Sequence, residues 1–416
     1  METGGGPVTW SRREFLGATG ALAVTQAATP DDDAYWREVR RAFVLDRELI
    51  NLNNGNSSPC PQIVHDAVKR HLDTCNLLPV HHRTLLEQTF DGVRRQLADE
   101  FGCDAGELAL TRNATEALHI AQCGVELRAG DEVVTTDQDY TRMLWAWDQR
   151  ARRDGVLIRR IQFPVPTTAA DLLERFERAL TPRTRVLHFC HVTNGTGQLF
   201  PVREICLLAR SRGVVTIVDG AQAVAHVPVN LHALECDFYG TSLHKWLMAP
   251  HGTGFLYVRR ERIRPTWPLQ PALESMAGDI RKFEEIGTQQ AAARAAVPEA
   301  LAFHRTIGLE RKAARLRALS QRWATALAVE PRIRILSDLR EGQPPALAAF
   351  TVKGVPAPAL VQRLFERHRI IVSAVVSQGR PGPVIDFEAV RVTPNICTTT
   401  DEIDALVAAV RLELQG

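Results

Sequence analysis

Lysine is the scarce residue of this 416-residue chain: five positions, against 45 arginines, make up its 50 basic residues. They are Lys69, Lys245, Lys282, Lys312 and Lys353. Arginine stays charged, whereas a lysine can lose its proton and become a nucleophilic amine. Other absences exclude function classes. A formal charge of +2 leaves no broad basic field for nucleic acid. Past the N-terminus no apolar run reaches the ~18 residues that span a bilayer. Neither Cys-x-x-Cys nor His-Glu-x-x-His occurs, so the common zinc frameworks are missing and no metal site is expected. His188 and His191 flank Cys190 but would point to opposite faces of a strand. Eight scattered cysteines suggest no pairing and are read as mostly buried thiols. Gly252-Thr-Gly254 lacks the third glycine of a dinucleotide fingerprint, which argues against a nicotinamide-dependent oxidoreductase.

What is present is a globular chain, 45% hydrophobic, long enough for two or three units of ~150 residues. Residues 1–30 read as a leader: Ser11-Arg12-Arg13-Glu14-Phe15-Leu16 precedes an Ala- and Gly-rich apolar stretch. This resembles a twin-arginine export signal, a route for folded, cofactor-loaded proteins. The expected location is periplasmic or otherwise extracytoplasmic, with no membrane anchor once the signal is removed. Residues 31–75 form an N-terminal segment, with a helix over Asp31–Leu49, an extended Leu49-Ile-Asn-Leu52 and a turn cluster at Asn53–Pro59. Residues 76–300 form a large domain and 301–416 a small C-terminal one.

Between 107 and 258, β-rich runs at Glu132–Thr135, Leu157–Gln162, Val186–Cys190, Val214–Val218, Asp237–Gly240 and Gly254–Val258 alternate with helices. That pattern predicts an α/β fold on a mostly parallel sheet. The last run follows too closely for a crossover helix, so one antiparallel neighbour is expected. A smaller α+β unit follows, with runs at Ala346–Val352, Ile370–Val376 and Val390–Val392 and a helix from Thr400.

Four lysines lie in charged or turn-like settings and read as solvated. Lys245 does not. It follows the strand-like Cys236–Gly240, beside His244 and Trp246-Leu-Met-Ala-Pro. Apolar surroundings lower a lysine pKa, as a Schiff-base lysine requires. Upstream, Asp219-Gly-Ala-Gln222 ends an apolar run, where open sheets place ligand-binding groups. A protonated pyridine nitrogen would suit that carboxylate; a helix cap is the ordinary alternative. Thr111–Leu118 opens a helix with small and hydroxylated residues that could hold a phosphate.

Together these elements resemble the class V aminotransferase family of pyridoxal-phosphate (PLP) enzymes, fold type I, over Ile50 to the C-terminus. The branch resembled is that of isopenicillin N epimerase, on Leu52-Asn-Asn-Gly55, His191-Val-Thr-Asn-Gly-Thr-Gly197, His244–Gly252 and Glu285-Ile-Gly-Thr288. The resemblance implies a large domain with a mostly parallel mixed sheet and a smaller α+β domain. It makes Lys245 the Schiff-base and proton-transfer residue and Asp219 the partner of the pyridine nitrogen. Gln222 and Asn194 would meet the phenolic oxygen, and Tyr140 would stack on the ring. Ala114, Thr115, Ser242 and His244 would hold the phosphate. Thr288 would reach the phosphate of a second subunit, implying a homodimer. Arg391, with Asn54 beside it, would bind the carboxylate of an amino-acid-like substrate.

Two departures stand out. Leu243 replaces a small residue before the His-Lys pair. No cysteine occurs between Cys236 and Cys397, whereas the family's desulfurases carry a persulfide cysteine shortly before the carboxylate-binding arginine. The expected reaction is epimerisation or transamination at Cα, with β-elimination as the alternative and an exported, non-catalytic binding protein as a further one. Epimerisation needs proton delivery on both faces; His81, His82 and Arg83 are candidates for the second group.

Overall fold

The computed structural model describes residues 29, 32–338, 345–376 and 387–415. Arg12 and Arg13, in the expected leader, lie outside the described residues, as does 377–386, in the stretch where the sequence shows no desulfurase-type cysteine.

Among the described residues, thirteen strands make three sheets. The first, β1 (Ile50–Asn51), pairs in parallel with β11 (Ile370–Ile371). The main sheet uses β2 (Leu108–Thr111), β3 (Glu132–Thr136), β4 (Leu157–Ile161), β5 (Thr184–Cys190), β6 (Val215–Asp219), β7 (Phe238–Ser242) and β8 (Gly254–Val258). Their order is β2-β8-β7-β6-β5-β3-β4. Only β8 is antiparallel to its neighbours β2 and β7, so the sheet is mixed but mostly parallel, as expected. The third sheet is antiparallel, β12-β13-β10-β9, from β9 (Ile333–Ile335), β10 (Ala348–Val352), β12 (Ser373–Val375) and β13 (Ala389–Val392).

Four strands of the main sheet, β2, β3, β7 and β8, are buried at every position, and β5 and β6 at all but one, as a sheet covered on both faces requires. Helices cover both faces and build two apolar layers, one around Phe176, Phe189 and Trp246 and one around Leu118, Trp147 and Phe238. A separate core, with Trp323, Phe350 and Leu406, sits under the small sheet. The helix Leu309–Ala328 joins the two, with Leu316 in the first core and Leu319, Trp323 and Leu327 in the other.

The structure revises several sequence expectations. The first helix spans only Asp33–Arg41; Phe43 then leaves the helical path to pack edge-on against Phe303. Two separate helices follow in the large domain, Pro79–Glu87 and Phe90–Phe101. Thr89 interrupts them, its hydroxyl donating to the Leu86 carbonyl at 2.6 Å. Strands β2 and β9 were not expected; Leu-Ala-Leu-Thr is too short and too poor in β-branched residues to stand out. All eight cysteines are free thiols.

The larger correction concerns the lysines. Lys69 and Lys353 are exposed, and Lys69 pairs with Asp66 at 3.0 Å. Lys282 and Lys312 are buried, against the expectation of solvated positions. Each has charged sequence neighbours, but local charge does not report which face of a helical turn is covered. Lys282 Nζ donates to the carbonyls of Ile263 (2.6 Å), Arg264 (3.3 Å) and Ala277 (2.9 Å). Two of these carbonyls end the short helix Arg260–Ile263, where a cation is favoured. Lys282→Met leaves three carbonyls without a donor and is expected to cost ~2–3 kcal/mol in urea unfolding of the cofactor-loaded protein. An unchanged midpoint would show that the ammonium is dispensable.

Candidate active site

Strand ends create the site. β5, β6 and β7 finish side by side at Cys190, Asp219 and Ser242, with Cys190 opposite Asp219 and Asp219 opposite Gly240 in register. β2 finishes at Thr111, and the helix Ala114–Gly124 starts from the same edge. A cavity of about 200 Å3 opens there. Of the sequence-predicted residues, Ala114, Thr115, Tyr140, Asn194, Asp219, Gln222, Ser242, His244, Lys245 and Arg391 all line it.

Close packing holds the edges of the cavity. At Gly220, a Cβ would lie 1.9 Å from the Tyr239 ring, so only glycine lets the chain turn after Asp219. Gly254 is as confined, between the Thr241 carbonyl and Asn113, which seats the helix start against the β7–β8 connection. Asn113 caps that helix by accepting from the Glu116 amide at 2.9 Å. Ser242 Oγ accepts from the Ala114 amide at 2.9 Å, which leaves its own hydroxyl hydrogen free to donate. A helix start plus a hydroxyl donor is a phosphate cradle.

Three charged groups share the cavity. Asp219 is buried and accepts from the Ala221 amide at 2.9 Å. Burial raises its pKa to about 6, while that amide and the Lys245 charge pull it down. Burial lowers Lys245 to about 8; Asp219 opposes the shift and Arg391 adds to it. Burial likewise lowers Arg391 to about 10. Its Nη1 donates to the Asn194 carbonyl (2.9 Å) and its Nη2 to Asn53 Oδ1 (2.7 Å). Its Nε is buried with no partner, and no carboxylate pairs with it among the described residues. His244 is lowered to about 4 by burial and then by Lys245, so it is neutral near pH 7, and its Nδ1 is unpartnered.

Gln222 is held at both ends of its amide. Trp246 Nε1 can only donate, and it donates to Gln222 Oε1 at 2.9 Å. Gln222 Nε2 therefore faces the Gly55 carbonyl at 2.8 Å and keeps a second hydrogen, which is available to the cavity. The donor set fits a phosphorylated pyridine aldehyde: a cradle for phosphate, a carboxylate for a ring N–H, an amide donor for a phenolic oxygen and an amine for the aldehyde.

Asn54 does not reach the cavity. It is buried, its amide nitrogen donating to the carbonyls of Asn51 (3.0 Å) and Thr393 (3.1 Å). Its neighbour Asn53 contacts Arg391 instead, because residues alternate sides in an extended segment and Asn53 bridges Thr393. Thr288 is exposed and outside the cavity of its own chain. His81, His82 and Arg83 also lie outside it, on the helix Pro79–Glu87; His82 Nδ1 meets the Thr74 carbonyl at 2.7 Å and Arg83 faces Glu87. Sequence reading missed Cys190, Met143 and Asn53. Cys190 was legible only through the register that sets it beside Asp219.

Fold and site define a PLP enzyme of fold type I, and the comparisons with known proteins agree. The model of the class V aminotransferase family matches residues 50–406, and the chain belongs to that family. Its cofactor is pyridoxal phosphate. The chain is 34% identical over 399 residues to the isopenicillin N epimerase of Streptomyces clavuligerus, covering 90% of this chain and 98% of that protein. It is 32% identical to the isopenicillin N epimerase of Amycolatopsis lactamdurans, with the same coverage. A probable cysteine desulfurase of Vibrio cholerae is 28% identical over 385 residues, covering 87% and 93%. Among solved structures, the apo cysteine desulfurase of Thermococcus onnurineus NA1 shares the fold, with a TM-score of 0.79, 22% identity and coverage of 94% and 99%.

Lys245→Ala is expected to abolish the yellow Schiff-base band of the purified protein. In wild-type apo-protein, PLP uptake should rise with pH through about 8, because Lys245 becomes the free amine there. A midpoint near an ordinary lysine's 10.4 would contradict a buried amine.

Proposed function

We propose that this enzyme inverts the α-carbon of an amino acid, free or terminal in a larger metabolite, whose carboxylate binds Arg391. The observation that carries the reading is Arg391 itself. A buried guanidinium without a carboxylate partner is costly until an anion arrives. The inverting branch is supported by the identity to two isopenicillin N epimerases and by the lack of any cysteine from 237 to 396, which argues against persulfide chemistry.

Bound PLP supplies an electron sink that acidifies the substrate Cα–H. The chain's residues do the rest. Arg391 orients the carboxylate, held in turn by Asn53 and the Asn194 carbonyl. Asp219 would keep the ring nitrogen protonated, and Gln222 would donate to the phenolic oxygen. The Ala114/Thr115 helix start, Ser242 and neutral His244 would hold the phosphate. Lys245, with its lowered pKa, would take or deliver the Cα proton on its own face near neutral pH, and inversion pairs it with a proton transfer on the opposite face. Tyr140, which lines the cavity, would pack against the ring.

Incubation with candidate amino acids in D2O is expected to give Cα deuterium with inversion. Release of pyruvate and ammonia would move the reaction to β-elimination, and pyridoxamine phosphate to transamination. Arg391→Ala should raise KM for the accepted substrate ~100-fold, the direct loss of a charged, bidentate contact; an unchanged KM would refute the clamp.

The same reading makes the enzyme a homodimer in which Thr288 completes the phosphate site of a second copy, and an exported protein addressed by Arg12 and Arg13. The exposure of Thr288 outside its own cavity supports the first. Sedimentation of the loaded enzyme as a monomer would overturn the dimer, and cytoplasmic retention with the leader intact would overturn the export.

A further inference from the structure

We propose that Lys312 is a positioning residue for Lys245: its side-chain nitrogen clamps the carbonyl of Trp246 and so holds the turn that carries the Schiff-base lysine. The proposal rests on Lys245 as the cofactor-bearing lysine and is independent of the reaction type.

Lys312 is fully buried, and its Nζ donates to the carbonyl of Trp246, the residue after Lys245. Nothing else in its surroundings accounts for an amine there. Among the described residues it has no carboxylate partner; its charged neighbourhood is His226 and His304, both held neutral by burial. It also lies in the first turn of the helix Leu309–Ala328, the end that disfavours a cation. A group this unfavourable needs a compensating role. Burial lowers its pKa to about 7, but an amine and an ammonium both donate to a carbonyl, so the clamp does not depend on its charge.

The clamped turn is strained. Met248 takes a left-handed φ of 59°, uncommon for a residue with a long side chain. Two backbone bonds close it, Met248 N to the Lys245 carbonyl (3.2 Å) and Ala249 N to the Leu243 carbonyl (3.1 Å). The Trp246 ring lies flat on His226, 3.7 Å between centroids, and its Nε1 donates to Gln222. Trp246 is thus held by its ring on one side and by Lys312 at its carbonyl. The Lys245 carbonyl is held by the Met248 amide and the next carbonyl, that of Trp246, by Lys312, so the turn that carries the lysine side chain is fixed at two successive peptides. Through the Trp246 carbonyl, the helix that enters the small-domain core grips this turn.

The test uses full-length protein stripped of and reloaded with PLP. The readouts are the rate at which the visible band forms, the visible circular dichroism of the bound cofactor, and borohydride trapping with peptide mapping. Lys312→Met matches the volume and removes the donor. It should leave the melting temperature unchanged or higher, slow band formation about tenfold and reduce the visible dichroism, with the trapped label still on Lys245. Lys312→Arg, which keeps a donor, should recover most of the rate. Wild-type rate and dichroism in Lys312→Met would overturn the proposal. So would a Lys312→Met chain that fails to fold beside a wild-type-like Lys312→Arg, since Lys312 would then be structural only. A label on Lys312 would overturn it as well. A reducible band surviving in Lys245→Ala would instead sink the reading of Lys245 on which all of this rests.

Discussion

Two cations and one carboxylate share a single cavity, and the rest of the structure is arranged around that imbalance. Asp219, Lys245 and Arg391 are each moved by burial toward their neutral forms. Asp219 offsets part of the Lys245 charge; among the described residues no carboxylate pairs with Arg391. The cavity is therefore electrostatically complete only when it holds anions, and the helix start at Ala114 adds a second anion-seeking point. The reversed strand β8 makes this possible. Because β7 and β8 run antiparallel, the connection 243–253 stays at the ligand edge instead of crossing the sheet, and Lys245 sits within it.

A chain of buried hydrogen bonds ties this edge to the small sheet. The Ala346 amide donates to His226 Nε2 at 2.6 Å, so that nitrogen must be the acceptor. Nδ1 then carries the hydrogen and donates to the Gln222 carbonyl at 2.7 Å. Burial keeps His226 neutral, its pKa lowered to about 3, as this pattern needs. Gln222 thus has its backbone tied toward Ala346 and its side chain tied to Trp246 and Gly55. Its amide orientation is a consequence of partners with only one possible role.

Much of this was legible in the sequence. The continuous apolar runs disclosed the parallel strands because both faces are covered. Strand-end Asp219 and Lys245 stood out because charged groups follow apolar runs there. What stayed hidden has physical causes. Lys282 and Lys312 sit amid charged neighbours, and burial by a distant segment leaves no local mark. Asn53 and Asn54 differ only in which side of an extended segment they occupy, a parity fixed by the bridge to Thr393. Strand β2 is four residues whose pairing with β8 bridges more than 140 positions of chain, beyond the reach of periodicity.

The pairing of β1 with β11 sets an order of assembly on the ribosome. Residues 50–53 find their partners only at 370–393, so these contacts wait for nearly the whole chain to emerge. A nascent chain ending near residue 300 already contains Asp219, Lys245 and the helix start, yet lacks both Arg391 and the strand that orders Asn53. Cofactor capture can thus precede completion of the carboxylate clamp during synthesis, and residues 50–53 are among the last to dock.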